Sequence, residues 1–353
     1  MRKISRVSLA GAALILILAA ALTFAGGRRA RAADYERKLA AAELMQICMD
    51  RIKVYKEEAG VGLTPEDFHG TGLVGSEYTL VTTTNGVAEA KRTTANSDMA
   101  ALAVQLLEEA GIRPGDRVGA AFSGSFPGLN LAVLSACAVM EVDLAYICSA
   151  GASTYGANQP EITFPEMACR LVEEGLLPQD GIAVSMGGDF DCGGEMYPDL
   201  RDGILERLEA LGPELIWEPD YQKNLLLRQE LYSRGGPIRC FIGVGGSVTT
   251  LGLAEDRLGC GVTPPDVIRT LNKNSGLMEI YNARGLPVIH LLNVKRLVAD
   301  YGLPFDPPRL PAPGESAVYF TVRYPWHWAA GGLLGAAALL LEGRRRARRE
   351  EGP

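Results

Sequence analysis

The sequence predicts an α/β fold: a mainly parallel sheet flanked by helices, with one N-terminal and one C-terminal transmembrane helix. Three observations predict it. Arg117–Phe122 and Asp143–Cys148 are short apolar runs, each ending in a loop of serines and glycines, and the segment between them, Gly128–Met140, carries no charge. Strands buried on both faces read as continuous apolar runs, so this stretch reads as strand, buried helix and parallel strand. The alternation then repeats, with strands at Gly181–Met186, Pro237–Val244 and Leu286–Leu292 separated by helical segments. Finally, both ends of the chain carry apolar segments edged by arginine.

At the N-terminus, Val7–Phe24 holds 18 uncharged residues between Arg2, Lys3, Arg6 and Arg28, Arg29, Arg31. That is about the length of a bilayer-crossing helix. A secretory signal peptide cut near Ala30-Arg31-Ala32 is the alternative, but the apolar core is long for one. At the other end, Trp326–Leu341 follows Tyr324, with Trp326 and Trp328 near its start, and precedes Arg344-Arg345-Arg346. An aromatic belt, an apolar run and an arginine cluster, in that order, predict a second span with the arginines cytoplasmic. Two spans return both termini to the cytoplasm and leave the body outside. The expected layout is a membrane anchor over 1–27, a helical stalk over 33–60, an extracytoplasmic body over 61–303, a proline-rich linker over 304–323, a transmembrane helix over 324–342 and a basic cytoplasmic tail over 343–353.

Within the body, Glu77–Thr82 reads as a strand before the turn Asn85-Gly86. Lys91-Arg92-Thr93-Thr94 reads as a basic, hydroxyl-rich loop just before a helix, either solvated or in contact with an anion. Met99, Leu102, Ala103, Leu106, Leu107 and Ala110 repeat at helical spacing over Ser97–Ala110, and Gly111 ends that helix. Further helices are expected at Phe164–Glu174, Pro198–Leu211, Tyr221–Ser233, Asp266–Asn272, Leu277–Ala283 and Asn293–Tyr301.

The net charge of −7 argues against nucleic-acid binding by the body. Seven cysteines without CxxC spacing, several inside apolar runs, predict buried structural thiols rather than a disulfide framework. No P-loop or dinucleotide-binding glycine motif occurs, and no cofactor is expected. Asp189, Asp191 and Glu195 are hard-cation ligand types but lack the spacing of a calcium loop, so no metal is expected either.

The candidate site residues lie in the loops that follow the strands: Ser123, Gly124 and Ser125; Ser149, Gly151 and Ser153; Gly187, Gly188 and Asp189; Gly245, Gly246 and Ser247. Ligands of open parallel sheets bind beyond the carboxyl ends of the strands, where glycine lets them reach backbone N–H groups that favour carboxylate or phosphate. Tight strand-to-helix turns require glycine and serine in any case, so no single loop carries the reading alone. Ser123, Ser125 and Ser247 are possible nucleophiles, but FSGSFPG lacks the first glycine of the G-x-S-x-G elbow. Of the three histidines, His290 sits mid-strand as a core residue, His327 lies at the membrane interface and His69 is in a loop.

Three segments, KRTTANSDMAALAVQLLEEAGIRPGDRV, AAFSGSFPGLNLAVL and ICSAGASTYGANQPEITFPEM, resemble the poly-γ-glutamate system protein family, over about Tyr78 to Tyr301. The resemblance implies a role beside the ligase and membrane subunits that make and export poly-γ-glutamate, and carries no catalytic residues. An accessory membrane protein that binds the anionic polymer or bridges subunits is the expectation. An extracytoplasmic serine-dependent amide hydrolase or transferase and a sugar-phosphate-binding α/β domain are the alternatives.

Overall fold

The computed structural model describes residues 6–254 and 257–349, leaving Arg2, Lys3 and the end of the basic tail outside the described residues. In chain order the elements are α1 (Arg6–Ala25), β1 (Arg28–Arg31), α2 (Tyr35–Glu58), β2 (Thr82–Thr84), α3 (Ala88–Thr94), α4 (Asp98–Glu109), β3 (Arg117–Ser123), α5 (Pro127–Val139), β4 (Asp143–Ser149), β5 (Ala152–Ser153), α6 (Phe164–Glu173) and β6 (Ala183–Ser185). They continue with α7 (Pro198–Glu209), β7 (Glu214–Ile216), α8 (Tyr221–Ser233), β8 (Cys240–Val244), α9 (Val248–Leu251), β9 (Gly261–Thr263), α10 (Leu277–Ala283), β10 (Val288–Leu291), α11 (Val294–Tyr301), β11 (Phe320–Arg323) and α12 (Trp326–Arg349). The chain divides into two compact units, one made of both ends (1–33 and 320–353) and one of residues 34–319.

The body is an α/β protein on a seven-stranded sheet of order β7-β6-β4-β3-β8-β10-β9. Every pairing is parallel except that of the edge strand β9 with β10. β3 enters the sheet first. The chain leaves it through α5 to β4, continues to β6 and β7, then returns to β8 on the other side of β3. Strand order therefore reverses between β3 and β8, and such a switch point opens a crevice at the strands' carboxyl ends. One face of the sheet, with Ala121, Ala145, Ile147 and Phe241, packs against Tyr232 of α8 and Leu277, Met278 and Tyr281 of α10. Tyr232, Phe241 and Tyr281 interlock, with ring centroids 4.7–6.1 Å apart. α5 packs against β3 and β4, and α2 and α4 pack against α5 and each other.

Several expectations are corrected. α2 is no stalk: Ala41, Ala42, Met45, Cys48, Ile52 and Tyr55 are fully buried in the body. These residues form its core face, whereas Ile47 is exposed. The region after Gly302 is no free linker either. Arg92 clamps Asp306 through two bonds of 2.7 Å, Lys38 Nζ donates to the Val318 carbonyl at 2.8 Å, and the buried Asp98 carboxylate accepts from Ser316 and Tyr319. The Tyr35 and Tyr319 rings meet at 5.7 Å, so the body begins and ends at one place. Burial pushes the Asp98 carboxyl upward against the hydrogen bonds it accepts. Lys91–Thr94 is helical, in α3, rather than a loop. The early strand falls at Thr82–Thr84, not Glu77–Thr82, pairing in parallel with β5. Asp266–Asn272 is not helical: Pro264 and Pro265 precede it, and Asp266 takes a left-handed conformation (φ 61°). All seven cysteines are free; five are buried, and Cys192 and Cys260 are partly exposed.

In the terminal unit, β1 pairs antiparallel with β11, Arg28 opposite Arg323 and Arg31 opposite Phe320. α1 packs along α12. A Cβ on Gly332 would lie 2.2 Å from Ala19 Cβ, and Gly335 and Gly11 face Ile15 and Leu339. Small residues at these crossings let the two helices approach closely. Among the described residues, one helix, Arg6–Ala25, is long and apolar enough to cross a membrane, a test that a signal sequence also passes.

Candidate functional site

The four candidate loops lie side by side along the carboxyl rim of the sheet. A Cβ on Gly245 would sit 3.0 Å from Ser123 Cβ, so the loops after β3 and β8 touch across the switch point. Gly124 abuts the Ala150 and Gly151 carbonyls, and Gly151 abuts the Met186 carbonyl and the Gly188 amide. The sheet thus brings together residues from four strand ends far apart in the chain.

Most of their amide hydrogens point inward. Gly124 N–H donates to Ser149 O (3.1 Å), Ser125 N–H to Ser123 Oγ (3.2 Å), Ala150 N–H to Ser185 O (2.9 Å) and Gly151 N–H to Met186 O (2.7 Å). Ser153 N–H donates to Ser125 Oγ at 3.0 Å, and Asn130 Nδ2 donates to Ser123 O at 2.8 Å. These loops are stitched to one another, so the expected row of open N–H groups is not what the β3 and β4 loops present. Gly246 in the β8 loop is exposed, and Ser247 Oγ lies 2.7 Å from Thr250 Oγ1.

The β6 loop is also internally committed. Gly187 and Gly188 take left-handed conformations that L-residues rarely adopt, and Asp189 N–H donates to Glu195 Oε2 at 2.7 Å. The Asp191 carboxylate accepts from Arg228, Asn224 and Ser185. Arg228 is itself buried, so the pair satisfies two charges that would be costly alone. Among the described residues no group of three or more His, Cys, Asp or Glu is placed to hold a metal ion. His290 is buried in β10, the His69 ring lies tilted against Phe68 with centroids 4.3 Å apart, and His327 is on α12.

The charged group that the structure adds to the candidate loops is Lys91, from the cluster read in the sequence as either solvated or in contact with an anion. From α3 its amine reaches into the rim, donating to the Ser125 carbonyl and to Ser153 Oγ at 2.9 Å. It also lies 3.5 Å from the centroid of the Phe126 ring. Lys91 is 3% exposed, and that burial pulls its pKa down to about 7. An amine balanced between charged and neutral forms beside a serine hydroxyl can draw a proton from it, or answer an incoming anion by taking one up. The Asn85-Gly86 turn roofs the cluster: Gly86 N–H donates to Thr154 Oγ1 at 2.6 Å, and a Cβ on Gly86 would sit 2.8 Å from Ser153 Oγ. The sequence offered one signal, the basic and hydroxyl residues at 91–94.

The fold and rim define a doubly wound α/β protein with a serine-lysine cluster beside its switch point. No family model, curated protein or solved structure matches the chain.

Proposed function

We propose that this protein is a two-span accessory component of poly-γ-glutamate synthesis or export, its body outside the cell membrane and both termini cytoplasmic, engaging the polymer's carboxylates at the rim. One observation carries the reading: the three segments that resemble the poly-γ-glutamate family supply Lys91, Ser125 and Ser153, and these meet at one point. Lys91 replaces the row of open amides as the anion-responsive group, with the exposed Gly246 loop beside the switch point. Ligation of glutamate belongs to the partner ligase, since this chain has no nucleotide motif. The test is binding of γ-linked glutamate oligomers to the full chain in detergent. Lys91→Met should weaken binding at least tenfold, and wild-type affinity should fall as pH rises through about 7, where the free amine loses its proton. Affinity that is unchanged in Lys91→Met refutes the reading.

The 2.9 Å contact between Lys91 Nζ and Ser153 Oγ favours a second reading, a serine-lysine amide hydrolase or transferase acting on the same polymer. It differs in predicting polymer shortening by the purified chain, lost in Ser153→Ala.

A further inference from the structure

The terminal unit carries a charge arrangement that the rim does not use. β1 and β11 set Arg28 directly opposite Arg323 in an antiparallel pair. Residues opposite each other in such a pair share a face, with Cβ atoms about 4.5–5.5 Å apart, and like charges placed so repel. Both arginines are exposed, and neither has a carboxylate partner among the described residues. Their neighbours on that face are Ala30 and Thr321, too small to cover them. Strand alternation sends Arg29 and Arg31 to the opposite face, where the Arg29 guanidinium lies 3.6 Å from the Phe320 ring centroid. A ribbon that holds a repelling pair without an internal counter-charge is complementary to an anion that both guanidiniums share.

The place of the pair selects the anion. α1 ends at Ala25 and α12 starts at Trp326, so Arg28 and Arg323 each stand three residues from a helix end. α1 has 20 residues, which makes it about 30 Å long, the thickness of the hydrocarbon layer. With α1 across a bilayer, the pair lies at headgroup depth. Phe24, Tyr324, Trp326 and Trp328 all expose ring surface around the same helix ends, and Phe24 meets Tyr324 edge-on at 5.5 Å. Such rings mark the membrane–water interface. The turn is fixed to the helix ends: a Cβ on Gly26 would lie 2.7 Å from Pro325 Cγ, and one on Gly27 2.9 Å from Tyr324 Cε1. Guanidinium forks match phosphate oxygens, and at this depth the phosphate is that of a lipid headgroup. A soluble polyanion would gain nothing from the surrounding rings.

We propose that Arg28 and Arg323 clamp the phosphodiester of one anionic lipid at the membrane surface beside the β1–β11 ribbon. The proposal rests on the two-span part of the function proposed above and is independent of the rim and of the polymer assigned to it.

The test is native mass spectrometry of the full chain in mild detergent with equal amounts of phosphatidylglycerol and phosphatidylcholine, with carbonate extraction of its membranes run alongside. The wild type should retain one more phosphatidylglycerol than Arg28→Gln, with no difference in phosphatidylcholine. Arg323→Glu, which sets a carboxylate opposite Arg28, should lose the same lipid and melt no lower than the wild type, because an ion pair replaces a repulsion. Arg344→Gln, at the other end of α12, should keep it. Equal phosphatidylglycerol counts in wild type, Arg28→Gln and Arg323→Glu overturn the proposal. So does displacement of the lipid by inorganic phosphate or by γ-linked tetraglutamate, or a lower melting temperature in Arg323→Glu. Release of the chain by carbonate overturns the two-span reading and the clamp together, whereas a chain that stays in the membrane with equal lipid counts overturns the clamp alone.

Discussion

Replacing Lys91 by methionine should make the pH dependence of stability diverge between the two proteins. In the folded body the Lys91 amine titrates at about 7, against 10.5 for an unburied lysine. Between those values the unfolded chain holds more protons than the native one, so native stability rises with pH. The contribution is complete above 10.5 and is lost as pH falls to about 7, below which both states are protonated and the full burial penalty stands. Integrating the linkage from pH 6.5 to 8.5 gives about 2 kcal/mol of stability gained by the wild type. Methionine fills similar space, carries no charge and contributes nothing over that window. Lys56, pulled to about 8 by burial, adds a term of the same direction to both proteins, so it cancels in the difference. The measurement is urea unfolding of the full chain in non-ionic detergent, followed through Trp217 with Trp326 and Trp328 replaced by phenylalanine. Stopping at pH 8.5 keeps the buried cysteines and tyrosines out of the comparison. Parallel stability curves for wild type and Lys91→Met would show that the amine keeps an ordinary pKa, and the argument for a poised amine would fail.

Two further outcomes follow from the packing. Ile52→Ala should destabilise the body by about 2–4 kcal/mol, the cost of a fully buried cavity; a solvated stalk would register almost no change in the same urea experiment. Gly128→Ala should cost about 3 kcal/mol or more, because the new Cβ would sit 2.2 Å from the Thr94 carbonyl oxygen, which is backbone and cannot rotate away. A melting temperature within a degree of the wild type would mean that α3 and α5 are not packed as described.

The long, periodic elements were legible in the sequence. The helix expected at Ser97–Ala110 is observed at Asp98–Glu109, and both strands of the first βαβ unit fall within a residue of their expected ends. Of the short pieces, α10, α11, β6 and β10 were also legible, but β7 and β9 were not. β7 and β9 are three residues each, too few to show alternation, and they are strands because a neighbour offers its edge. The stalk expected over 33–60 is instead packed in the body, because alanines, a cysteine and a methionine among many charges mark a core face only weakly in sequence. At the site, serine- and glycine-rich turns told where the strands end. They did not tell where the amide hydrogens go, because Ser149, Ser185 and Met186 supply those acceptors from separate stretches of chain. Lys91 was hardest of all. A lysine in sequence reads as solvated, and only the roof over α3 and the serines beneath it make this one dry.

The meeting of Tyr35 with Tyr319 bears on how the chain assembles. The partners of α1 and β1 are α12 and β11, which are synthesised long after them. Tying such distant stretches together would ordinarily carry the entropic burden of a very long loop. A folded body removes most of it, because the two tyrosines already bring the flanking strands within reach. The terminal hairpin then closes as a short-range event, and a body that fails to fold leaves the first helix waiting for a mate that does not arrive.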